Sequence, residues 1–478
     1  MRLIGLDFGS TTTSALVARG SARGGVECRS ELTDLTIEFR SEPIFTPYDG
    51  ESLDEAALAA WLDAWAAATG IEGQPFAGGG AIVTGLAAQA HNAGVVRRLV
   101  RERFGETLIA TADDPALESW LAFMGNCRDL SLADPDRWFL NLDIGGGTTN
   151  VALGKAGRVE RVGCYYLGAH HVQVVPGSWQ ITRLSAIGER LLDALRIDRR
   201  PGDALTPDET DRLLDFFVRA LEGIVKGQAP HALGGQTSFL EQLPYAAPPD
   251  VSPVVTFSGG VGELVYRSVL NGVQPTTTAF GDLGGELAER IARSSLLLAG
   301  LRTHTPVALG RATVLGLAVH HVQLSGGTLY LPRPELLPLA ELPIVARIGN
   351  EMTDEQLDMA FGLARHSAGG ACLAVQLSDA RAATVRSFGM RLAERLERNA
   401  FPSNRPLVLL LDQNAGKTLG SYATRWGRLP ITLVVLDELP DRGAAFVTIG
   451  KPVEQLVPVS FYGIHSRTEA LTEGDGSF

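Results

Sequence analysis

Residues 3–13 read LIGLDFGSTTT, and residues 140–151 read LNLDIGGGTTNV. Each is an apolar run ending in aspartate, followed by an apolar residue, glycine and a cluster of hydroxyl side chains. The runs have strand length, so Asp7 and Asp143 stand at strand ends where a carboxylate can reach a cleft. Gly9 and the triplet Gly145, Gly146 and Gly147 let backbone N–H groups approach phosphate oxygens. Ser10, Thr11, Thr12 and Thr148 add hydroxyl donors. Two such loops facing each other predict a site that holds a nucleotide's phosphates between two carboxylates, which bind Mg²⁺ through water. One such loop is a common turn. Two copies about 136 positions apart, in the same strand–turn setting, are a specific signal.

A third element follows at residues 254–263, VVTFSGGVGE, again a strand running into glycines. Gly259, Gly260 and Gly262 let backbone lie flat against an adenine or ribose. In that order the three segments resemble the superfamily of actin, heat-shock chaperones and sugar kinases. The resemblance implies an α/β protein with an actin-like ATPase fold: two RNase H-like domains around a nucleotide cleft. Asp7 then falls in the phosphate-1 motif, Asp143 in phosphate-2, and Gly259 and Gly260 in the adenosine motif. Glu118, within DDPALESWLAFMG, falls near the first connecting helix, where the superfamily places a residue that orients the attacking water. The implied catalytic set is Asp7, Asp143 and Glu118, with Asp7 and Asp143 holding the metal's waters and ATP or ADP with Mg²⁺ as cofactors.

The chain has 478 residues, which predicts two to four domains, and 45% hydrophobic with 20% charged residues predicts a sizeable core. Net charge is -12 with no long Lys/Arg run, which argues against a nucleic-acid partner. The four cysteines are far apart and form no CxxC pair, as expected of reduced, buried thiols in a cytosolic protein. Met1 opens directly onto the first strand, so no signal peptide is expected. No apolar run reaches the roughly 20 residues that span a membrane.

Along the chain, residues 1–40 predict three strands. Residues 54–69 have helical spacing of Leu58, Trp61, Leu62 and Trp65, with Asp54 as cap. Residues 86–104 predict a helix with an arginine-rich solvated face. Residues 138–168 echo residues 1–40, the internal repeat expected of two facing halves. A helix is predicted over 185–195. Thr206, Pro207 and Glu209 predict a capped helix through 226. A strand over 254–258 leads to a glycine loop and a helix over 263–270. The proline-dense residues 332–343 read as a linker. Beyond it, 372–377, 406–412 and 431–437 alternate with helices at 380–398 and 416–426, which predicts an added α/β domain with a parallel sheet. The expected division is 1–137, 138–331 and 332–478.

Two features mimic sites. LDQNAGKT at 411–418 ends like a P-loop but has Leu411 where the tight turn needs glycine, so Lys417 is expected to be a surface residue. The pairs His170–His171 and His320–His321 are strand-like neighbours pointing to opposite faces, a poor arrangement for chelation.

Several segments resemble the EutA family, the reactivating factors of ethanolamine ammonia-lyase, across nearly the whole chain. Besides the three nucleotide motifs they are EFRSEPIFTPYDG, AIVTG, ATVLGLAVHHVQLSGGTLYLP, PLVLLLDQNAGKTLG and FVTIGKPVEQLVPVS. The late segments discriminate, because they lie outside the nucleotide site. The chain departs from the family at Leu86 and in FYGIHSRT near the end. The resemblance implies a slow ATPase that opens a cobalamin-dependent lyase, releases damaged cobalamin and admits intact adenosylcobalamin. It also implies a cytoplasmic protein. Association with a bacterial microcompartment and a homodimer stay open. The alternative is a sugar-type kinase of the same superfamily, although no sugar-binding signature stands out.

Overall fold

In the computed structural model, residues 1–462 are described apart from 26–27, 43, 51, 71–75, 77, 105–107, 111–114, 229–236, 249–250, 274, 321, 327, 440–442 and 453–455. Two sheets share one plan. In the first, Arg2–Phe8 pairs antiparallel with Thr12–Gly25 and parallel with Gly78–Val83, with Cys28–Arg40 and Leu108–Ala110 outside them. In the second, Phe139–Ile144 pairs antiparallel with Thr149–Lys155 and parallel with Val254–Ser258. Arg158–Tyr165 and Glu241–Leu243 complete its hairpin side. Asp7 lies opposite Ser14 and Ile82, and Asp143 opposite Asn150 and Ser258. The two aspartates therefore occupy equivalent places in two copies of one topology, which is the actin-like fold.

The two-residue alternation of a strand decides which way each aspartate faces. In Phe139–Ile144, Leu140, Leu142 and Ile144 enter one core with the helix Pro207–Val225. Phe139, Asn141 and Asp143 face the other way, and Phe139 packs with Phe123 and Met124 of the helix Pro115–Asn126. In Arg2–Phe8, Ile4, Leu6 and Phe8 pack with Leu58 and Leu62, while Leu3 meets Leu117, Leu121 and Leu317. So Leu3, Gly5 and Asp7 share a face that looks toward the same middle layer. That layer is Pro115–Asn126 crossed by the helical segment Ala312–Leu315 and its continuation Gly316–His320. The crossing is tight: a Cβ on Gly125 would lie 1.9 Å from the Ala312 carbonyl oxygen, and one on Gly316 2.1 Å from that of Leu121.

The third sheet is mixed rather than parallel. Leu339–Gly349, Ala371–Gln376, Pro406–Leu411 and Thr432–Leu436 run parallel. Phe446–Ile449, Val457–Tyr462 and Val322–Ser325 extend it antiparallel. Some of the proline-dense stretch read as a linker is thus a strand. Its one proline, Pro343, lies opposite Phe446 and just before Ile344, where pairing with Ala371–Gln376 begins, so its missing N–H interrupts no ladder on that side. A helix that no motif marked, Asp354–His366, carries a full capping box from Thr353 and Gln356. The predicted caps also form: Asp54 accepts from Ala57 N at 3.0 Å, and Thr206 and Glu209 cap Pro207–Val225 reciprocally. Arg98, on Gly94–Phe104, pairs with Glu55 on the surface. Cys127, Cys164 and Cys372 are buried free thiols.

Candidate functional site

Asp7, Asp143 and Glu118 come together where the two sheets meet the first turn of Pro115–Asn126. Burial and the neighbouring Asp143 push the Asp7 carboxyl up to about 7. Burial, then the charges of Asp143 and Asp7, hold Glu118 well above the carboxylate range, against hydrogen bonds from Asn150 and Thr84. Burial also raises Asp143, against hydrogen bonds from Ser258, Thr313 and Asn150. Like charges close together in a poor solvent environment each favour the protonated form. Asp7 Oδ1 is buried without a hydrogen-bond partner, and so is Thr11 Oγ1.

That donor set suits a hydrated divalent cation. A cation would relieve the mutual repulsion and give the orphaned Asp7 oxygen a water to accept from. Among the described residues no group of three or more His, Cys, Asp or Glu side chains is placed to ligate a metal directly.

The surroundings of Asp143 contain residues that the motifs did not mark. Ser258 Oγ donates to Asp143 Oδ1 at 2.5 Å and accepts from Asn141 Nδ2 at 2.8 Å. Asn126 on the connecting helix donates to Asn141 Oδ1 at 2.7 Å, so a polar chain runs from that helix to the aspartate. Thr313 Oγ1 reaches Asp143 Oδ2 at 3.5 Å. Asn150, cross-strand from Asp143, bonds both Asp143 and Glu118. Its place in TTNV, just past the glycines, was the available signal. Ser258, Asn141 and Thr313 had none, since their role depends on three separate chain segments meeting.

The two phosphate loops face each other directly. A Cβ on Gly146 would lie 1.9 Å from Thr11 Oγ1, and one on Gly147 2.8 Å from Ser10 Oγ. Each loop closes on itself by one matching bond: Gly9 N to Thr12 O and Gly145 N to Thr148 O, both 2.9 Å. Ser10, Gly147 and Thr148 are buried, whereas Thr12 is exposed.

The adenosine glycines depart from expectation. There is no loop after the strand Val254–Ser258; Gly259, Gly260 and Gly262 form the first turn of the helix Gly259–Asn271. Gly259 takes φ +77°, and a Cβ there would meet the Ile144 carbonyl oxygen at 2.5 Å, so only glycine allows the turn. Gly260 has no atom within 4 Å of its Cβ position, an open backbone surface at a helix N-terminus. Ser258, the N-cap, makes no side-chain cap bond because its hydroxyl is engaged with Asp143.

The P-loop mimic is also explained. Gly416 N, at the start of Gly416–Ala423, donates to Asp437 Oδ2 at 3.1 Å, and Thr328 donates to the same carboxylate. An internal carboxylate occupies the place a phosphate would take, and Lys417 is exposed. His170 and His171 sit in a short 3₁₀ turn, not a strand, beside the phosphate-2 loop. His170 Nδ1 lies 3.3 Å from Asp282 Oδ2. His321 lies outside the described residues. Among the described residues no helix is long and apolar enough to cross a membrane.

Comparison with known proteins covers the same span. The family model for ethanolamine utilisation protein EutA matches residues 1–463. The chain is 30% identical to the ethanolamine ammonia-lyase reactivase EutA of Salmonella typhimurium, over 96% of this chain and 97% of that protein. It is 29% identical to the protein of the same name from Escherichia coli, with the same coverage. Among solved structures, a PPX-GPPA enzyme of Aquifex aeolicus overlays with TM-score 0.36 at 16% identity, covering 67% of this chain and 90% of that one. The matched span contains both glycine-threonine loops, the Gly259–Gly262 turn and the third sheet, and the chain belongs to the EutA family of ethanolamine utilisation proteins.

Proposed function

We propose that this protein is an ATP-dependent reactivating factor for ethanolamine ammonia-lyase. The observation that carries the reading is the convergence of Asp7, Asp143 and Glu118 where two like sheets meet, with both phosphate loops in contact beside them. The names of the two bacterial relatives point to the client. Asp7 and Asp143 would hold Mg²⁺ through its waters. The metal, when bound, supplies positive charge against the phosphates. Gly9 to Thr12 and Gly145 to Thr148 cradle the phosphates, and the Gly259–Gly262 turn takes the adenosine. Glu118, held by Asn150 and Thr84, orients the attacking water. The ATP and ADP forms would close the cleft to different extents. The open and closed clefts differ in affinity for the lyase, and that difference opens the client so that damaged cobalamin leaves.

The test mixes inactivated lyase, ATP, Mg²⁺ and adenosylcobalamin, and follows the return of lyase activity. ATP-dependent recovery that Asp143→Ala abolishes is the expected result. ATP consumption that scales with an added sugar, without recovery of the lyase, would overturn the reading in favour of a kinase.

A further inference from the structure

Three consecutive carbonyls of the phosphate-2 loop are held from one short turn, Ala169–His171. Gly145 O accepts from Ala169 N at 3.2 Å and Gly146 O from His170 N at 2.7 Å. Gly147 O accepts from a side chain, His171 Nε2, at 2.7 Å. A trans peptide is planar, with its N–H opposite its C=O. Drawing these carbonyls toward the turn therefore sends the N–H groups of Gly146, Gly147 and Thr148 the other way. Cβ atoms on Gly146 and Gly147 would meet Thr11 and Ser10, so the phosphate-1 loop lies against this stretch of backbone. Successive amides aimed to one side are how backbone binds an anion.

The turn is fitted closely to this task. A Cβ on Gly168 would lie 2.3 Å from the Gly146 carbonyl oxygen, so the turn can approach the loop only with glycine there. The His171 ring is 2% exposed, and its Nδ1 lies 2.7 Å from Ser185 Oγ. Ser185 in turn caps Ala186–Ala194 by accepting from Gly188 N at 3.0 Å. A carbonyl only accepts, so Nε2 carries the proton and Nδ1 accepts from the serine hydroxyl. Burial drives the ring's pKa down to about 4, outweighing the pull of the Gly147 and Tyr166 carbonyls, and His170 adds to the depression.

The phosphate-1 loop repeats the device independently. Gly9 O accepts from Thr46 Oγ1 at 2.7 Å, Ser10 O from Tyr48 Oη at 3.2 Å, and Thr11 O from Thr46 N at 2.9 Å. In both halves a short segment behind the loop pins three carbonyls in succession.

We propose that His171 is a positioning residue of the phosphate cradle: its Nε2–H holds the Gly147 carbonyl back so that the Thr148 N–H faces the phosphate. This rests on the nucleotide reading of the cleft. The test measures MgADP and MgATP affinity of the full chain by calorimetry for wild type, His171→Leu and His171→Gln. Amide exchange at residues 146–148 is followed in parallel without nucleotide. His171→Leu keeps the volume and removes the donor; affinity is expected to fall roughly tenfold, with faster exchange in the loop. His171→Gln offers an amide donor to Gly147 and an acceptor to Ser185, and is expected to restore affinity to within about threefold. A merely structural role would lower the melting temperature and leave the affinity of the folded protein unchanged. A folded His171→Leu protein with wild-type affinity and exchange overturns this inference alone. Wild-type protein that binds neither nucleotide overturns the reading of the cleft, and this inference with it. Should His171→Leu not fold, His171→Asn takes its place, with an amide too short to reach the Gly147 carbonyl and the same two readouts.

Discussion

Replacing Asp7 by asparagine should make the nucleotide-free protein more stable at pH 8 while abolishing ATP hydrolysis. Burial and Asp143 move the Asp7 carboxyl from 3.8 to about 7. The folded state therefore holds this proton more tightly than the unfolded chain does. The stabilisation is fully present below about pH 4 and is lost as the pH rises through about 7. Above pH 7 the full loss corresponds to about 4 kcal/mol. Asparagine carries no charge to desolvate and nothing for Asp143 to repel. Its amide still needs partners, so a net gain of roughly 2–4 kcal/mol is expected at pH 8, vanishing near pH 4. The assay is urea unfolding from pH 5 to 9, with and without MgADP. Wild type should lose stability as the pH rises from 5 toward 7 and regain it with MgADP. The variant should be flatter with pH and insensitive to MgADP. An Asp7→Asn protein no more stable than wild type at pH 8, with an unchanged pH profile, would refute the account of the carboxylate cluster.

Three further outcomes follow from individual contacts. Ser258→Ala removes the 2.5 Å donor to Asp143, so the Asp143 carboxyl should rise further and the acid limb of ATPase activity should move to higher pH; a limb that stays in place would mean that ionised Asp143 does not control the rate. Gly259→Ala forces a side chain onto φ +77° and into the Ile144 carbonyl, and should cost roughly 2–4 kcal/mol in denaturant unfolding. Thr206→Ala removes half of a capping box far from the cleft and should cost about 1 kcal/mol with ATPase activity intact.

Much of this protein was legible as sequence because the relevant physics is local. An apolar run that ends in Asp and glycine is a strand with a turn, whatever surrounds it, and two such runs placed Asp7 and Asp143. The caps at Asp54 and Thr206 satisfy N–H groups three residues away, so spacing alone reveals them. The three late strands at Ala371–Gln376, Pro406–Leu411 and Thr432–Leu436 are apolar almost throughout, as strands covered on both faces must be.

What the sequence left open depends on segments far from one another in the chain. Leu339–Gly349 looked like a linker at its start because Pro343 and the prolines just before the strand disfavour a ladder, and it became a strand only because Ala371–Gln376 and Phe446–Ile449 pair with it. The glycines after Ser258 became a helical turn because Gly259 must pass the Ile144 carbonyl. His171 lacks any motif, since its partners lie 24 residues before it and 14 after it. The residue types that can bind phosphate were thus decided locally, by strand length, glycine and hydroxyl content. Their orientation was decided by tertiary structure, because the direction of a peptide N–H depends on what holds the carbonyl on its other side.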